Sequence, residues 1–349
     1  MSIRPRGIAW MSAVDLSIIV AVRNQLPHNQ LFLETLRAAG SVRTEVIMVD
    51  NGSTDGSSEL FRRTGAQVIP TGGNLCYPEA MNLGLAAAKG EYVGFLNNDI
   101  VVSPGWDDGL LAGLDRHELP VVSPVGIERM PTPALTRAVQ ERWRLVKPRV
   151  GPVRSADDLR AAVRTMYGDW EDFCRRIRAA FDGHLVSGIV GSCVVARRSF
   201  MEGIGGWDTR VEAADWDLYL RLRERAGTVG DIRPPMVAGW VYVHHYVQAT
   251  RRGERAPFTC AHPKLTVQEK WGQAAIRQWF FDPPLLAERP RLHRAPANYL
   301  RLRARRLAID GLRGIAHIRI LLRGLPGAGE LLGKVGSASE RDGTLKLRC

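Results

Sequence analysis

Polar residues that could bind a ligand follow three short apolar runs in the first hundred residues. The three clusters are Arg23 with Asn24, Asp50 with Asn51, and Asn97, Asn98 and Asp99. Asp and Asn at such places often only end a strand or cap a helix. Three clusters at comparable places instead indicate one crevice in which carboxylates, amides and a guanidinium hydrogen-bond a polar ligand.

The apolar runs before these clusters predict strands that alternate with helices. The predicted strands are residues 15–22, 45–50, 66–69 and 91–99. Between the first two, Leu31, Leu33, Leu36 and Ala39 recur at helical spacing, and further helices are predicted from Ser57 and over 77–88. This alternation predicts an α/β fold with a parallel sheet covered on both faces, in which the strand ends share one edge.

Length and composition place the chain among ordinary globular proteins. Its 349 residues, 45% hydrophobic and 24% charged, are enough for about two structural units. No apolar run reaches the roughly 18 residues of a membrane span, and residues 1–20 lack the continuous apolar segment of a secretory signal. We therefore expect a cytoplasmic protein.

Charge and cysteine content narrow the partners. The 48 Lys and Arg exceed the 36 Asp and Glu by 12, which favours an anionic partner such as a phosphorylated substrate, a nucleic acid or an anionic membrane. The five cysteines are odd in number and lack CxxC spacing, so we expect free thiols rather than disulfides or a zinc cluster. Two nucleotide motifs are also missing, since VRNQLPHN replaces GxGxxG after the first strand and GxxxxGK[ST] occurs nowhere.

Five segments, in order, resemble the family 2 glycosyltransferases, which have the GT-A fold. They are SIIVAVRN, EVIMVDNGSTDGS, GGNLCYPEAMNLGLAAAKGEYVGFLNNDIVVSPGW, GSCVVARRSFMEGIGGWDTRVEAADWDLYLRLRERAG and VYVHHY. The resemblance implies a mostly parallel, Rossmann-like sheet flanked by helices in a catalytic domain over 13–255. Its nucleotide-sugar half would be 15–125 and its acceptor half 126–255, followed by a basic helical extension over 256–349.

The resemblance also implies which residues bind a nucleoside diphosphate sugar. The matching positions are Val22, Arg23, Asp50, Asn51, Ser53, Asn74, Asn82, Asn97 and Asn98. Asp50 and Arg23 would hydrogen-bond the base and ribose, while Asn51 and Ser53 shape the turn. Cys76 replaces a glycine that the family usually has near Asn74, which changes the backbone freedom there.

Asp99 is the metal ligand that the resemblance implies. Mg²⁺ or Mn²⁺ held by oxygen ligands can neutralise a diphosphate leaving group. The family's Asp-x-Asp is Asn97-Asn98-Asp99 here, which provides one carboxylate. The family also places a histidine after the segment that carries its catalytic base. Because residues 237–246 alternate as a strand, only one of His244 and His245 can face the site, and we assign His244 as a metal ligand.

Asp215 is the predicted catalytic base of an inverting transfer. The family's acidic pair before x-Asp-Leu-x-x-Arg is reduced here to Ala214-Asp215, so only the second acid is present. A carboxylate there can accept the proton of the acceptor hydroxyl. Helix N-capping is the alternative role for Asp215. Asp217 and Arg221, four residues apart, predict an exposed ion pair on one helix face.

Two further segments allow two interpretations each. Residues 127–183 contain Trp143, Tyr167, Trp170 and Phe173, which either form a platform for an acceptor or pack as a satellite helix. Residues 285–325 alternate Leu and Ile with Arg, which predicts either an amphipathic helix on an anionic membrane or a helix packed on the catalytic domain.

The sequence thus predicts a metal-assisted, inverting glycosyltransferase that acts in polysaccharide or glycoconjugate assembly. Its partners would be a nucleoside diphosphate sugar and a glycan, lipid-linked or peptide acceptor, with peripheral contact to the inner face of the membrane through the basic tail. A nucleotidyltransferase is the alternative enzyme, although the glycine-rich loop of that class is missing after the first strand. A basic nucleic-acid-binding protein is the third interpretation, which no recognised motif supports.

Overall fold

The computed structural model describes residues 14–150, 153–211, 213–247, 258–260 and 264–280. The basic stretch 285–325, for which a membrane-binding helix is predicted, lies outside these residues, as does most of the predicted extension 256–349. Within the described part of the chain, no helix combines the length and the apolar character needed to cross a membrane.

The described residues form one sheet with helices on both faces. The strands are β1 (Leu16–Val22), β2 (Thr44–Asp50), β3 (Gln67–Pro70), β4 (Tyr92–Leu96), β5 (Ile100–Val102), β6 (Val121–Gly126), β7 (Leu185–Ser187), β8 (Cys193–Arg197) and β9 (Met236–His245). The helices are α1 (Leu26–Ala39), α2 (Ser57–Arg63), α3 (Tyr77–Ala87), α4 (Trp106–Arg116), α5 (Pro133–Val146), α6 (Ala156–Tyr167), α7 (Trp170–Phe181), α8 (Arg198–Gly203), α9 (Ala214–Thr228) and α10 (Val267–Phe280).

The sheet is mixed, with a parallel first half. Its strand order is β3-β2-β1-β4-β8-β6-β9-β5, and β7 also pairs with β9. Strands β3, β2, β1 and β4 are parallel neighbours, which confirms the prediction for the first half of the chain. Strand β8 is antiparallel to β4 and β6, and β9 is antiparallel to β5 but parallel to β6.

Successive residues of β1 enter different cores on the two faces of the sheet. Ile18 packs in the cluster that includes Phe32 of α1, whereas Ile19 packs in the cluster that includes Met81 of α3. Because both faces are covered, the strand sequence is apolar at every position except Ser17 rather than alternating. Each such buried side chain contributes about 1.5–3 kcal/mol of hydrophobic stabilisation.

The segment 127–183 packs into the core instead of presenting an open aromatic platform. Trp143, Tyr167 and Phe173, one from each of α5, α6 and α7, are buried in one cluster with Tyr242 of β9. The Tyr167 and Tyr242 hydroxyls are 2.9 Å apart and hydrogen-bonded. Of the two interpretations of this segment, the structure supports the packed helices.

A buried carboxylate joins α9 to α10. The Asp217 side chain is 0% exposed and accepts from Arg221 Nε at 3.0 Å, Lys270 Nζ at 2.5 Å and Trp271 Nε1 at 2.8 Å. The predicted pairing of Asp217 with Arg221 is confirmed. Its predicted exposure is wrong, because α10 from the later part of the chain covers the carboxylate.

Asp217→Asn should lower the free energy of unfolding by about 3 kcal/mol, because it leaves Arg221 without its buried anion and Lys270 with only one carboxylate partner, Asp208. Urea unfolding followed by circular dichroism measures this loss. The control Glu202→Gln removes an exposed partner of Arg198, at 2.8 Å, and should cost less than about 1 kcal/mol. Equal losses in the two variants would contradict the structural role of Asp217.

Candidate active site

The carboxyl ends of β2, β1 and β4 lie side by side at one edge of the sheet. Val22 pairs with Asp50, and Val20 pairs with Leu96, the residue before Asn97. The three polar clusters that the sequence singles out are therefore neighbours in space. In open α/β sheets, ligands bind outside this edge, which makes it the candidate active site.

The loops that follow β1 and β2 are held together by hydrogen bonds. Arg23 Nη1 donates to the carbonyl of Asn51 at 2.7 Å, and the backbone N–H of Asn24 donates to Ser53 Oγ at 2.9 Å. These bonds fix three of the predicted nucleotide-binding residues, Arg23, Asn51 and Ser53, relative to one another. Their contacts with a nucleotide stay a prediction.

Asp50 is a buried carboxylate that organises the turn after β2. It accepts from the backbone N–H of Ser53 at 2.8 Å and from the Ser58 hydroxyl. Gly52 has a φ of +83°, a left-handed conformation that favours glycine, and a Cβ there would lie 3.4 Å from Arg23 Nη1. The turn thus keeps Asp50 and Arg23 at adjacent strand ends, as the predicted recognition of base and ribose requires.

Two of the predicted donor-binding asparagines contact other segments of the chain. The Asn82 amide donates to the carbonyl of Trp207 at 2.8 Å and accepts from its N–H at 2.9 Å, so it ties α3 to the segment before α9. The carbonyl of Asn74 accepts from the N–H of Thr259 at 2.8 Å. Asn82 therefore has a structural role that sequence reasoning missed.

Asn97, Asn98 and Asp99 have different surroundings. Asn98 is buried and donates to Asn29 Oδ1 at 2.7 Å, so it supports the start of α1. Asn97 Nδ2 is 3.4 Å from His245 Nε2, and Asp99 Oδ1 is 3.0 Å from the same nitrogen. Only Asn97 and Asp99 of this cluster contact His245.

The alternation of β9 puts its two histidines on opposite faces, and His245 is the one beside Asp99. His244 is fully buried, with Nδ1 hydrogen-bonded to the Tyr167 hydroxyl at 2.7 Å and its ring edge-on to Trp143. The prediction that one histidine faces the site is confirmed. The structure does not bring His244 to Asp99 as predicted, because α5 and α6 cover the face to which it belongs. Metal binding by His245 in its place is a proposal.

The two histidines also differ in charge. Burial lowers the pKa of His244 to about 3, so its imidazole is neutral. Burial alone would also lower the pKa of His245, but the carboxylates of Asp99 and Glu128 outweigh it and raise that pKa to about 10. In this arrangement His245 is a cation between two carboxylates.

Asp99 and His245 fit a divalent cation. They offer a carboxylate oxygen and an imidazole nitrogen 3.0 Å apart, both on side chains that are about nine-tenths buried or more. Oxygen ligands suit Mg²⁺ and Mn²⁺, and imidazole is a common further ligand of transition metals. A cation bound there would replace the proton on His245 Nε2, since a ligating imidazole has to be deprotonated on the metal side.

Asp215 lies in the first turn of α9 and is not its cap. The N-cap is Ala213, and the Asp215 carboxylate accepts from the N–H of Trp216 at 3.0 Å. Burial, with a smaller effect of the Glu128 charge, raises the pKa of Asp215. A Cβ at Gly191 would come within 2.4 Å of Asp215 Oδ2, so the carboxylate fills space that only a glycine leaves open.

Glu128 is a carboxylate of this site that sequence reasoning missed. Its Oε1 contacts His245 Nδ1, and its charge acts on the Asp215 carboxylate. It follows β6, whose carboxyl end reaches the same region as that of its parallel neighbour β9. The run VVSPVG before it, at 121–126, is the signal that could have identified a strand end here.

A second group of possible metal ligands lies at the start of α3. Within the described residues, the ligand atoms of Cys76, Glu79 and Cys260 lie within 4.8 Å of one another. Lys264 Nζ donates to Glu79 at 2.9 Å, so a cationic group is already present. Burial raises the pKa of the Cys76 thiol to about 11, and the described cysteines are free, as the sequence predicts.

Comparison with known proteins defines the class of protein. The family model described as Glycosyl transferase family 2 matches residues 17–205, which is more than half of the chain. With its mostly parallel mixed sheet flanked by helices, the protein is a glycosyltransferase with the GT-A fold. The chain belongs to glycosyl transferase family 2, and it transfers sugars from nucleotide sugars in glycan assembly. This membership decides against the nucleotidyltransferase and nucleic-acid-binding interpretations.

Three proteins are similar to this chain in sequence or in structure. The N-acetylglucosaminyl-diphospho-decaprenol L-rhamnosyltransferase of Mycobacterium tuberculosis is 28% identical over 75% of this chain and 88% of its own. The O-antigen biosynthesis protein RfbC of Myxococcus xanthus is 28% identical over 61% of this chain and 16% of its own. The mannosyltransferase PcManGT from Pyrobaculum calidifontis, solved with GDP-Man and Mn²⁺, is 16% identical with a TM-score of 0.44, covering 98% of this chain and 80% of that one.

Asn82→Ala should lower the free energy of unfolding by about 1–3 kcal/mol, because it leaves both backbone groups of Trp207 without their partner. Thermal unfolding checks the loss of stability, and titration with a donor nucleotide at a temperature where the variant is folded checks its binding. We expect unchanged nucleotide affinity. A large loss of affinity with unchanged stability would support the original prediction that Asn82 binds the donor.

Proposed function

We propose that this glycosyltransferase works with a divalent cation and inverts the configuration of the transferred sugar. The observation that carries the proposal is the contact of His245 with Asp99 and Glu128, together with the buried carboxylate of Asp215, on which the charge of Glu128 acts. The carboxylate of Asp99 and the imidazole of His245 could bind a divalent cation next to the leaving diphosphate. The separate carboxylate of Asp215 could accept the proton of the acceptor hydroxyl.

Donor binding is assigned to the edge formed by β2, β1 and β4. Asp50 and Arg23 are the residues proposed to hydrogen-bond the base and ribose, because they lie at neighbouring strand ends in fixed orientations. Asp99 and His245 would hold Mg²⁺ or Mn²⁺ next to the diphosphate. When bound, such a cation neutralises the negative charge that develops on the leaving group.

The transfer itself is proposed to be a single displacement. The acceptor oxygen forms a bond to the anomeric carbon while the bond from that carbon to the diphosphate breaks, and its electron pair leaves with the diphosphate. Asp215 takes the hydroxyl proton as the new bond forms. Because its pKa is raised, the carboxylate is a better proton acceptor than an ordinary Asp. Attack on the face opposite the leaving group inverts the sugar.

The substrate class is proposed from a relative that matches most of both chains. That relative is named as an L-rhamnosyltransferase acting on N-acetylglucosaminyl-diphospho-decaprenol. We therefore propose an L-rhamnosyl or related donor and an acceptor sugar linked to a polyprenyl diphosphate. The seven arginines of residues 301–323 fit contact with the anionic inner face of a membrane, where such an acceptor resides.

A thermal-shift panel tests donor class and cation together, because a ligand that binds only the folded state raises its apparent stability. UDP-, GDP- and dTDP-sugars are compared with and without Mn²⁺. Stabilisation by one nucleotide class that requires Mn²⁺ is the expected result. Stabilisation of equal size in the presence of excess chelator would refute the cation dependence.

Asp99→Ala should abolish most of the activity and the effect of Mn²⁺ on donor binding, because it removes the metal-binding carboxylate. Isothermal titration of Mn²⁺ into the protein with nucleotide present measures this change. Asp231→Ala, which removes an exposed partner of Arg225 at the end of α9, is the control. Full activity of Asp99→Ala in excess chelator would show that the cation assignment is wrong.

Asp215→Asn should keep donor binding but lose about 10²–10⁴-fold in kcat, because an amide cannot accept the proton of the acceptor. Steady-state kinetics with saturating donor measure the loss, and the thermal shift with donor confirms binding. If Asp215→Asn transfers sugar at the original rate, another group is the base. Loss of donor binding in this variant would instead assign Asp215 to the nucleotide site.

A further inference from the structure

Glu128 holds the ring of His245 on the side away from Asp99. Glu128 Oε1 contacts His245 Nδ1, while His245 Nε2 lies 3.0 Å from Asp99 Oδ1. The imidazole side chain is 11% exposed and the Asp99 side chain 6%, whereas Glu128 is 34% exposed. A partly solvated carboxylate thus contacts the outer nitrogen of an almost buried ring.

We propose that Glu128 is a positioning residue that orients His245 for a divalent cation at Asp99. The inference rests on the proposed function, in which Asp99 and His245 hold the cation. A neutral imidazole has one protonated nitrogen and one acceptor nitrogen. Glu128 accepts the N–H of Nδ1, so a cation that displaced the Nε2 proton would meet a lone pair directed toward Asp99. Carboxylates that bond a ligating histidine in this way fix both its tautomer and its ring orientation.

The backbone around Glu128 is built to bring its carboxylate to this place. Gly126 and Arg129 exchange two backbone hydrogen bonds, at 2.9 and 3.2 Å, which closes a tight turn at the end of β6. A Cβ at Gly126 would lie 2.6 Å from the carbonyl of Val243 and 3.4 Å from Glu128 Oε2. Glycine at 126 therefore lets this turn approach β9 closely and leaves room for the Glu128 carboxylate.

The contact also crosses between strands that are far apart in sequence. Glu128 follows β6, His245 ends β9, and Asp99 precedes β5, which pairs with β9. A protonated imidazole donates from both nitrogens, as His245 does here between two carboxylates, and a cation bound at Asp99 would take the place of the Nε2 proton. The arrangement of Asp99, His245 and Glu128 in one row is the feature expected of a metal ligand and its support.

The test compares Glu128→Ala with Glu128→Gln, using Mn²⁺ alone as the probe and the electron paramagnetic resonance signal of free Mn²⁺ as the readout. Glu128→Ala should weaken Mn²⁺ binding by about 10–100-fold. Glu128→Gln should keep most of the affinity, because its amide oxygen can accept from Nδ1. The control Glu91→Ala removes the partner of Arg197 at the opposite end of β4 and should bind Mn²⁺ normally.

Kinetics separate positioning from direct catalysis. Glu128→Ala should regain turnover as Mn²⁺ is raised, since the cation restores what the lost orientation weakened. Turnover that stays lost at saturating Mn²⁺ would overturn the proposal and make Glu128 a group that acts on the substrate. Unchanged Mn²⁺ affinity in Glu128→Ala, or equal losses in Glu128→Ala and Glu128→Gln, would overturn it as well.

Two further outcomes keep the test decisive. If Glu128→Ala does not fold, Glu128→Asp withdraws the carboxylate by one methylene, and wild-type Mn²⁺ affinity in that variant overturns the proposal. If the unsubstituted protein binds no Mn²⁺, the proposed cation dependence and this inference fail together. Mn²⁺ binding by the unsubstituted protein with no change in any Glu128 variant overturns only the inference.

Discussion

The residues that meet in the candidate active site depend on the register of β9 with β5 and β6. Ile100 of β5 lies opposite His245, so the preceding residue, Asp99, comes next to the imidazole. On the other side, Gly126 of β6 pairs with Val243, and the turn that follows brings Glu128 to the same ring. Side chains alternate along a strand. A shift of β9 by one residue against its neighbours would therefore place His244 where His245 now lies. The register therefore determines that Asp99 and Glu128 both contact the His245 ring.

The edge formed by β2, β1 and β4 is rigid for a different reason. The polar groups of the loops at this edge hydrogen-bond one another and the start of α1. Arg23 binds the carbonyl of Asn51, and Asn98 binds Asn29, so the loops after β1, β2 and β4 are linked. Ordering a loop during binding costs free energy, which a preformed edge avoids. Polar residues at strand ends here therefore hold the loops together, and under the proposed function the same groups would also shape the surface that binds the nucleotide.

The first half of the fold was predictable because its strands are buried on both faces and read as continuous apolar runs. The polar strand ends followed from the same pattern. The choice between His244 and His245 was not predictable, because it depends on which face of β9 is covered by α5 and α6. Glu128 was missed because Ser123 and Pro124 interrupt the apolar run of β6. The burial of Asp217 depends on Lys270, more than fifty residues later, which no local pattern reveals.

Glu128 connects the two chemical halves of the site, since it contacts His245 and its charge reaches Asp215. Burial is the main cause of the raised pKa of Asp215, and the negative charge of Glu128 adds to it. Binding of a cation by Asp99 and His245 would place positive charge on the other side of Glu128 and partly offset that effect. The negative charge of a donor diphosphate bound to that cation would act in the opposite direction, so the charge near Glu128 depends on both ligands. Because Glu128 contacts His245 and its charge acts on Asp215, the charge at the proposed cation site would influence the proton affinity of the proposed base.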